Sequence, residues 1–143
     1  MKALPDHIFA RGRSLHLYVS IWLTLAFVRI KLSTRGYKYF ANAPVEATRE
    51  NESVNPARIA RIVERVAKFV PGALCLAQSV STQRLLAQYG LETVMRIGVK
   101  SDEYGMLKAH AWVLLQGDVI LGGNPTDLEA YKVITDMKSV VVS

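Results

Sequence analysis

The sequence predicts an α+β domain: a helix bearing the single cysteine, packed on a small antiparallel sheet and preceded by N-terminal helices. Three observations carry this. Ile59, Ile62, Val63, Val66 and Val70 recur at three- and four-residue intervals, the period of an amphipathic helix. A second helical run is bounded by Pro71-Gly72 before it and Gly90 after it. From Leu91 onward the period changes to two, with β-branched residues and a Gln116-Gly117-Asp118 turn between strand-like runs.

Residues 1–13 are short and basic, with Pro5 and Gly12, and read as an irregular or loosely helical lead-in. Leu15 to Ile30 is mostly apolar but only sixteen residues long. A bilayer needs about 20 residues, and His16, Ser20, Thr24 and Arg29 interrupt this run. No small-residue cleavage pattern follows it, which argues against a cleaved signal. Three readings stay open: a helix buried in the domain, a helix docked on a partner protein, or one lying in a membrane interface. In the third, Arg29, Lys31, Arg35 and Lys38 would face anionic headgroups. Residues 1–43 therefore form a basic, apolar helical segment, for docking or for covering the core. Residues 44–55 are polar and read as a linker, and 55–143 form the main core.

Asn55-Pro56 opens the first core helix, with asparagine as N-cap and proline in the first turn. The cysteine helix starts near Ala73 or Leu74 and runs to about Tyr89. Cys75, Gln78, Ser79, Thr82 and Leu86 share a stripe of small and polar residues, which suits a thiol reaching into a cleft. Strands are expected at 91–99 and 106–115, and from Val119 to Leu121. Thr126-Asp127 is expected to cap a last helix reaching about Asp136, with an edge strand or packed tail after Ser139.

A chain of 143 residues supports one domain with a real core. One cysteine excludes a disulfide framework or a cysteine-rich zinc site, and a reducing cytoplasm is the simpler compartment. His7, His16 and His110 are too scattered for a metal cluster; the nearest pairing, His7 with His16, has only Asp6 for support. The net charge of +6 resides in residues 1–40, where seven Lys or Arg face one acid; elsewhere bases and acids cancel. The basic character therefore does not serve the cysteine, and no nucleic-acid-binding motif accompanies it.

Cys75 lies at a helix N-terminus, where free N–H groups and the helix dipole favour a thiolate. His110 lies in the strand-like Lys108-Ala-His-Ala-Trp-Val113. A single cysteine and a distant histidine are the raw material of a cysteine hydrolase. The bland alternative is a small buried thiol and an unrelated imidazole.

A cysteine helix packed on an antiparallel sheet whose strand carries histidine is the core of the papain and transglutaminase-like folds. The runs Pro-Gly-Ala-Leu-Cys-Leu-Ala-Gln-Ser, Gln-Arg-Leu-Leu-Ala-Gln-Tyr-Gly-Leu, Arg-Ile-Gly-Val-Lys, Ala-His-Ala-Trp-Val and Gly-Asp-Val-Ile-Leu-Gly-Gly match more closely. From about Ile59 to Tyr131 the chain resembles the lasso-peptide leader peptidases, transglutaminase-like maturation proteases related to the microcin J25 processing enzyme. The length resembles their stand-alone protease form. The resemblance implies a cytoplasmic cysteine endopeptidase, possible at a membrane surface through residues 15–38. It would cut the leader from a ribosomally made precursor peptide. A separate leader-binding protein presents that precursor. A cyclase that uses ATP closes the freed core, so no cofactor is implied for this chain.

The resemblance assigns Cys75 as nucleophile and His110 as general base and acid. The family usually places an acid about a dozen residues past the histidine; here that position is Gly122. With Gln116-Gly117 as a two-residue turn, His110 faces about Gly123, and Asn124 lies one residue beyond. Asn124 is the first choice for third member, with Asp127 and Asp118 as alternatives. The oxyanion donor is expected to be the Cys75 N–H plus one further group. Gln78, where the family often has arginine, and Trp112 are candidate substrate contacts; Trp112 also reads as core or cleft wall. A non-catalytic scaffold subunit and an acyl-transferring transglutaminase are the competing readings.

Overall fold

The computed structural model describes residues 6–142, with side-chain environments from Ser14 onward. Of the 1–13 lead-in, residues 1–5 fall outside the described residues and 6–13 are helical; any pairing of His7 with His16 falls outside the described side chains. Eleven elements follow in order: α1 (Asp6–Arg35), α2 (Lys38–Ala41), β1 (Val45–Glu46), α3 (Pro56–Ala67), α4 (Cys75–Gln88), β2 (Val94–Ser101), β3 (Leu107–Leu115), β4 (Asp118–Leu121), α5 (Pro125–Leu128), β5 (Lys132–Lys138) and β6 (Val141–Val142).

The architecture is α+β, as the sequence predicts. Four antiparallel strands form one sheet in the order β4-β3-β2-β5. Helices α1, α3 and α4 cover one face, and α4 sits at the centre, touching α1, α3, β2 and β3. The core gathers Ile21, Leu25 and Val28 of α1, Ile62 and Val63 of α3, Leu85 and Leu86 of α4, and Met95, Ala111 and Val113 of the sheet. The apolar N-terminal run is thus built into the fold on one side. Its other side carries exposed Leu15, Val19, Trp22, Leu23 and Ile30. The expectation of a run too short to span a bilayer needs correction: by length and composition the 22-residue Ser14–Arg35 is long and apolar enough to cross a membrane.

Local chemistry explains the helix boundaries. The Asn55 side chain accepts from the Arg58 N–H and Pro56 occupies the first turn, so α3 begins as its sequence dictates. Helix α4 starts at Cys75 without a side-chain cap from Leu74. Gln78 ties the Pro71-Gly72 loop to this first turn in another way, its Nε2 donating to the Ala73 carbonyl at 2.9 Å. Buried Gln83 donates to the Thr93 and Met137 carbonyls, both at 3.1 Å, and so fastens α4 to the sheet.

Four further expectations need correction. The last helix does not reach Asp136. It ends at Leu128, and Lys132–Lys138 is a strand paired with β2. The run Val133-Ile134-Thr135 is β-branched, and strand pairing satisfies its backbone where a short helix would not. That helix is capped by Asn124 with Pro125 at its start, not by Thr126-Asp127. The Cys75 stripe is no cleft wall: Ser79, Thr82 and Leu86 are fully buried. A helix wrapped by α1, α3 and a sheet needs small residues for close approach, and serine and threonine supply them. The 44–55 linker, finally, contains a strand, since β1 pairs in parallel with β6.

Candidate active site

Cys75 is the first residue of α4, half-buried, and packs at the margin of the helix-side core. Arg29 of α1 lies against the turn that precedes it. A Cβ on Gly72 would sit 2.4 Å from the Arg29 Nε, and Gly72 has φ of +76°. Only glycine allows the guanidinium this close to the loop. No spacing rule links Arg29 to Gly72, so sequence reasoning missed this contact.

His110 lies mid-strand on β3, opposite Gly98 of β2. Side chains alternate along a strand. Ala111 and Val113 enter the helix-side core, whereas Trp112 and Leu114 form a second cluster with Leu128 of α5. The His110 ring goes with the latter set. It stacks on Trp112 at 5.9 Å between centroids and 24° between planes, and lies 5.5 Å from Tyr131. Lys100 places its ammonium 4.6 Å from the Tyr131 ring. Gly98 leaves the space these rings occupy, since a Cβ there would lie 2.9 Å from the Trp112 ring.

The imidazole has one polar partner in the described structure. Its Nε2 lies 2.6 Å from the Gly122 carbonyl oxygen. A carbonyl only accepts, so Nε2 carries the proton and Nδ1 is the basic nitrogen.

None of the candidate third members hydrogen-bonds His110 among the described residues. The β3–β4 ladder shifts register between Val113 and Leu114, so Val113 pairs with Leu121. Continued, that register would set Asn124 opposite His110, one residue beyond the Gly123 expected from an unshifted hairpin. The strand stops at Leu121, however, and Gly122 and Gly123 leave the ladder with φ of +107° and +136°. Asn124 instead caps α5, its Oδ1 accepting from the Thr126 N–H at 3.0 Å. Asp127 is exposed in the first turn of α5. Asp118 pairs with Leu115, five residues along β3 from His110, roughly 16 Å away at the usual strand rise. Gln78 spends its amide on Ala73, and Trp112 is 3% exposed, a wall of the second cluster.

The structure therefore joins His110 to Gly122, Trp112 and Tyr131. Among the described residues no hydrogen bond joins Cys75 to His110. No group of three or more potential metal ligands occurs among them either.

A family model for the transglutaminase-like superfamily matches residues 21–136, most of the chain. The chain belongs to the transglutaminase-like superfamily. The match starts inside α1 and ends within β5, so it includes the helix that covers the core as well as the Cys75 helix and the His110 strand. No curated protein and no solved structure is matched. The superfamily comprises cysteine-protease-like and acyltransferase-like domains, and this member carries its one cysteine at the start of the central helix.

Proposed function

We propose that this transglutaminase-like domain is a cysteine endopeptidase that removes the leader from a lasso-peptide precursor. The single observation that carries a catalytic reading is the His110 imidazole, oriented by a main-chain acceptor with Nδ1 left as base, in the same domain as a lone cysteine at a helix start. The finer assignment to leader removal rests on the resemblance of the Cys-Leu-x-x-Ser and Ala-His-Ala-Trp-Val runs.

The chemistry has two halves. His110 Nδ1 takes the Cys75 thiol proton, and the thiolate so formed attacks the scissile carbonyl. The protonated imidazole returns that proton to the leaving amine, and water then hydrolyses the acyl-enzyme. The Cys75 N–H, free at the start of α4, faces the developing oxyanion. This reading makes a structural demand: thiol and imidazole must meet in the substrate complex. His110 groups with Trp112 on the sheet face away from the helix-side core that Cys75 borders, so the ring or the start of α4 must move for them to meet. The precursor peptide, the leader-binding protein and the ATP-using cyclase are the partners this function entails. The exposed side of α1 is the surface offered for a docking protein or for an anionic membrane, with Lys31, Arg35 and Lys38 beside it.

The separation of Cys75 from His110 favours one competing reading, a scaffold subunit that retains the fold without chemistry. Incubation with precursor and leader-binding protein, read by mass, decides between them. The protease should release leader and core, Cys75→Ala should release neither, and iodoacetamide should label Cys75 as activity is lost. Cleavage that survives in Cys75→Ala sinks the catalytic assignment. A cross-linked product in place of free leader would identify acyl transfer to an amine.

A further inference from the structure

We propose that the main-chain carbonyl of Gly122 is the positioning group of His110, in place of any side-chain carboxylate or amide. The inference rests on the catalytic reading of His110 for its purpose, but not for its geometry. A triad of this type needs an acceptor on one ring nitrogen, to hold the proton there and leave the other nitrogen basic. The Gly122 oxygen meets that need at 2.6 Å from Nε2.

The surrounding backbone is built to deliver this oxygen. Continued past the register shift between Val113 and Leu114, the ladder sets Gly122 beside Trp112, on the His110 face of β3. At Gly122 the chain adopts φ of +107°, a region that L side chains rarely enter. A side chain is excluded there on steric grounds as well. A Cβ on Gly122 would lie 2.5 Å from the Trp112 Cβ and 2.9 Å from its Cα. The site therefore cannot accept an acid at position 122 without moving β3. The ring is held on its flanks too, by Trp112 at 5.9 Å and Tyr131 at 5.5 Å, which limit its rotation. Asn124 is already committed to the Thr126 N–H, and Asp118 lies far along the hairpin.

A main-chain acceptor differs from a carboxylate in one respect that matters. It fixes the tautomer without adding a negative charge beside the ring, so it orients His110 while stabilising the imidazolium less.

Two measurements test this. Long-range 15N–1H spectra of the intact protein, recorded above the imidazole titration, should show His110 with its proton on Nε2. The same spectrum should persist in Asn124→Ala, Asp127→Asn and Asp118→Asn. An Nδ1–H tautomer, or a tautomer that changes in any of the three variants, overturns the proposal. The second measurement weakens the acceptor without adding an atom. Semisynthesis with glycolic acid in place of Gly123 converts the Gly122 carbonyl to an ester, a poorer acceptor. In the cleavage assay kcat should fall at least about tenfold with KM little changed, short of the ~10⁴-fold that a wrong tautomer costs a serine protease. An ester variant with unaltered kcat and tautomer also overturns it. If the wild-type chain cleaves nothing, the catalytic reading fails, and the tautomer spectrum still decides the role of Gly122.

Discussion

Alanine at Gly122 should destabilise the fold through two effects whose sizes follow from the structure. The first is conformational. At φ of +107° an L residue sits outside its allowed regions, which costs about 1–2 kcal/mol. The second is steric. The new methyl would lie 2.5 Å from the Trp112 Cβ and 3.2 Å from the Ala111 carbonyl, both parts of a central strand that cannot yield cheaply. Overpacking of this kind costs about 1–3 kcal/mol. Together they amount to about 2–5 kcal/mol, or roughly 6–15 °C in Tm for a domain of this length. Gly105→Ala is the control. Its φ is +78°, but nothing lies within 4 Å of the added methyl, so only the conformational cost of about 1–2 kcal/mol remains. Thermal unfolding followed by circular dichroism measures both. Equal shifts for the two variants would refute the claim that Trp112 closes off position 122.

Two further predictions concern the frame around the site. Leu25 of α1 is fully buried, so Leu25→Ala should cost about 2–5 kcal/mol in urea unfolding, while Leu23→Ala, at 56% exposure, should cost no more than about 0.5 kcal/mol. Similar small effects from both would mean that α1 does not cover the core in solution. Arg96 grips Asp136 through two bonds of 2.8 and 2.9 Å across β2 and β5. The hydrogen bond from Arg96 holds the Asp136 carboxyl below its ordinary range. A folded pKa below the unfolded one gives stability that is present above the unfolded pKa of about 3.9 and lost as pH falls through the folded value. The pair is partly exposed, so the loss should be only about 0.5 kcal/mol. Asp136→Asn should abolish that part of the acid dependence, and an unchanged profile would count against the pair.

The helices of the core were legible because their signals are local. Asn55-Pro56 caps and starts α3 by bonds within four residues, and the period of Ile59, Ile62, Val63 and Val66 follows from helix geometry alone. The hairpin turn at Gln116-Gly117 is equally local, with positive φ at both residues. Lys132–Lys138 was misread because a capping signal near Thr126 looked strong, while the force that makes it a strand is pairing with β2, some forty residues earlier in the chain. The buried stripe of Ser79 and Thr82 was misread for a similar reason. Polarity suggested a cleft, but close packing selected small side chains.

By itself the sequence determined that one cysteine stands at the start of a helix and one histidine in a strand of an α+β domain, since both follow from period, caps and turns. Tertiary structure alone decided what each residue faces. A single register shift in β3–β4 sets which residue lies beside His110, and one residue of shift exchanges the partners of a whole strand end. Asn124 could orient the imidazole on spacing, yet a nearer donor at Thr126 claims it. The Gly122 carbonyl takes its place, because only a residue without a side chain fits against Trp112.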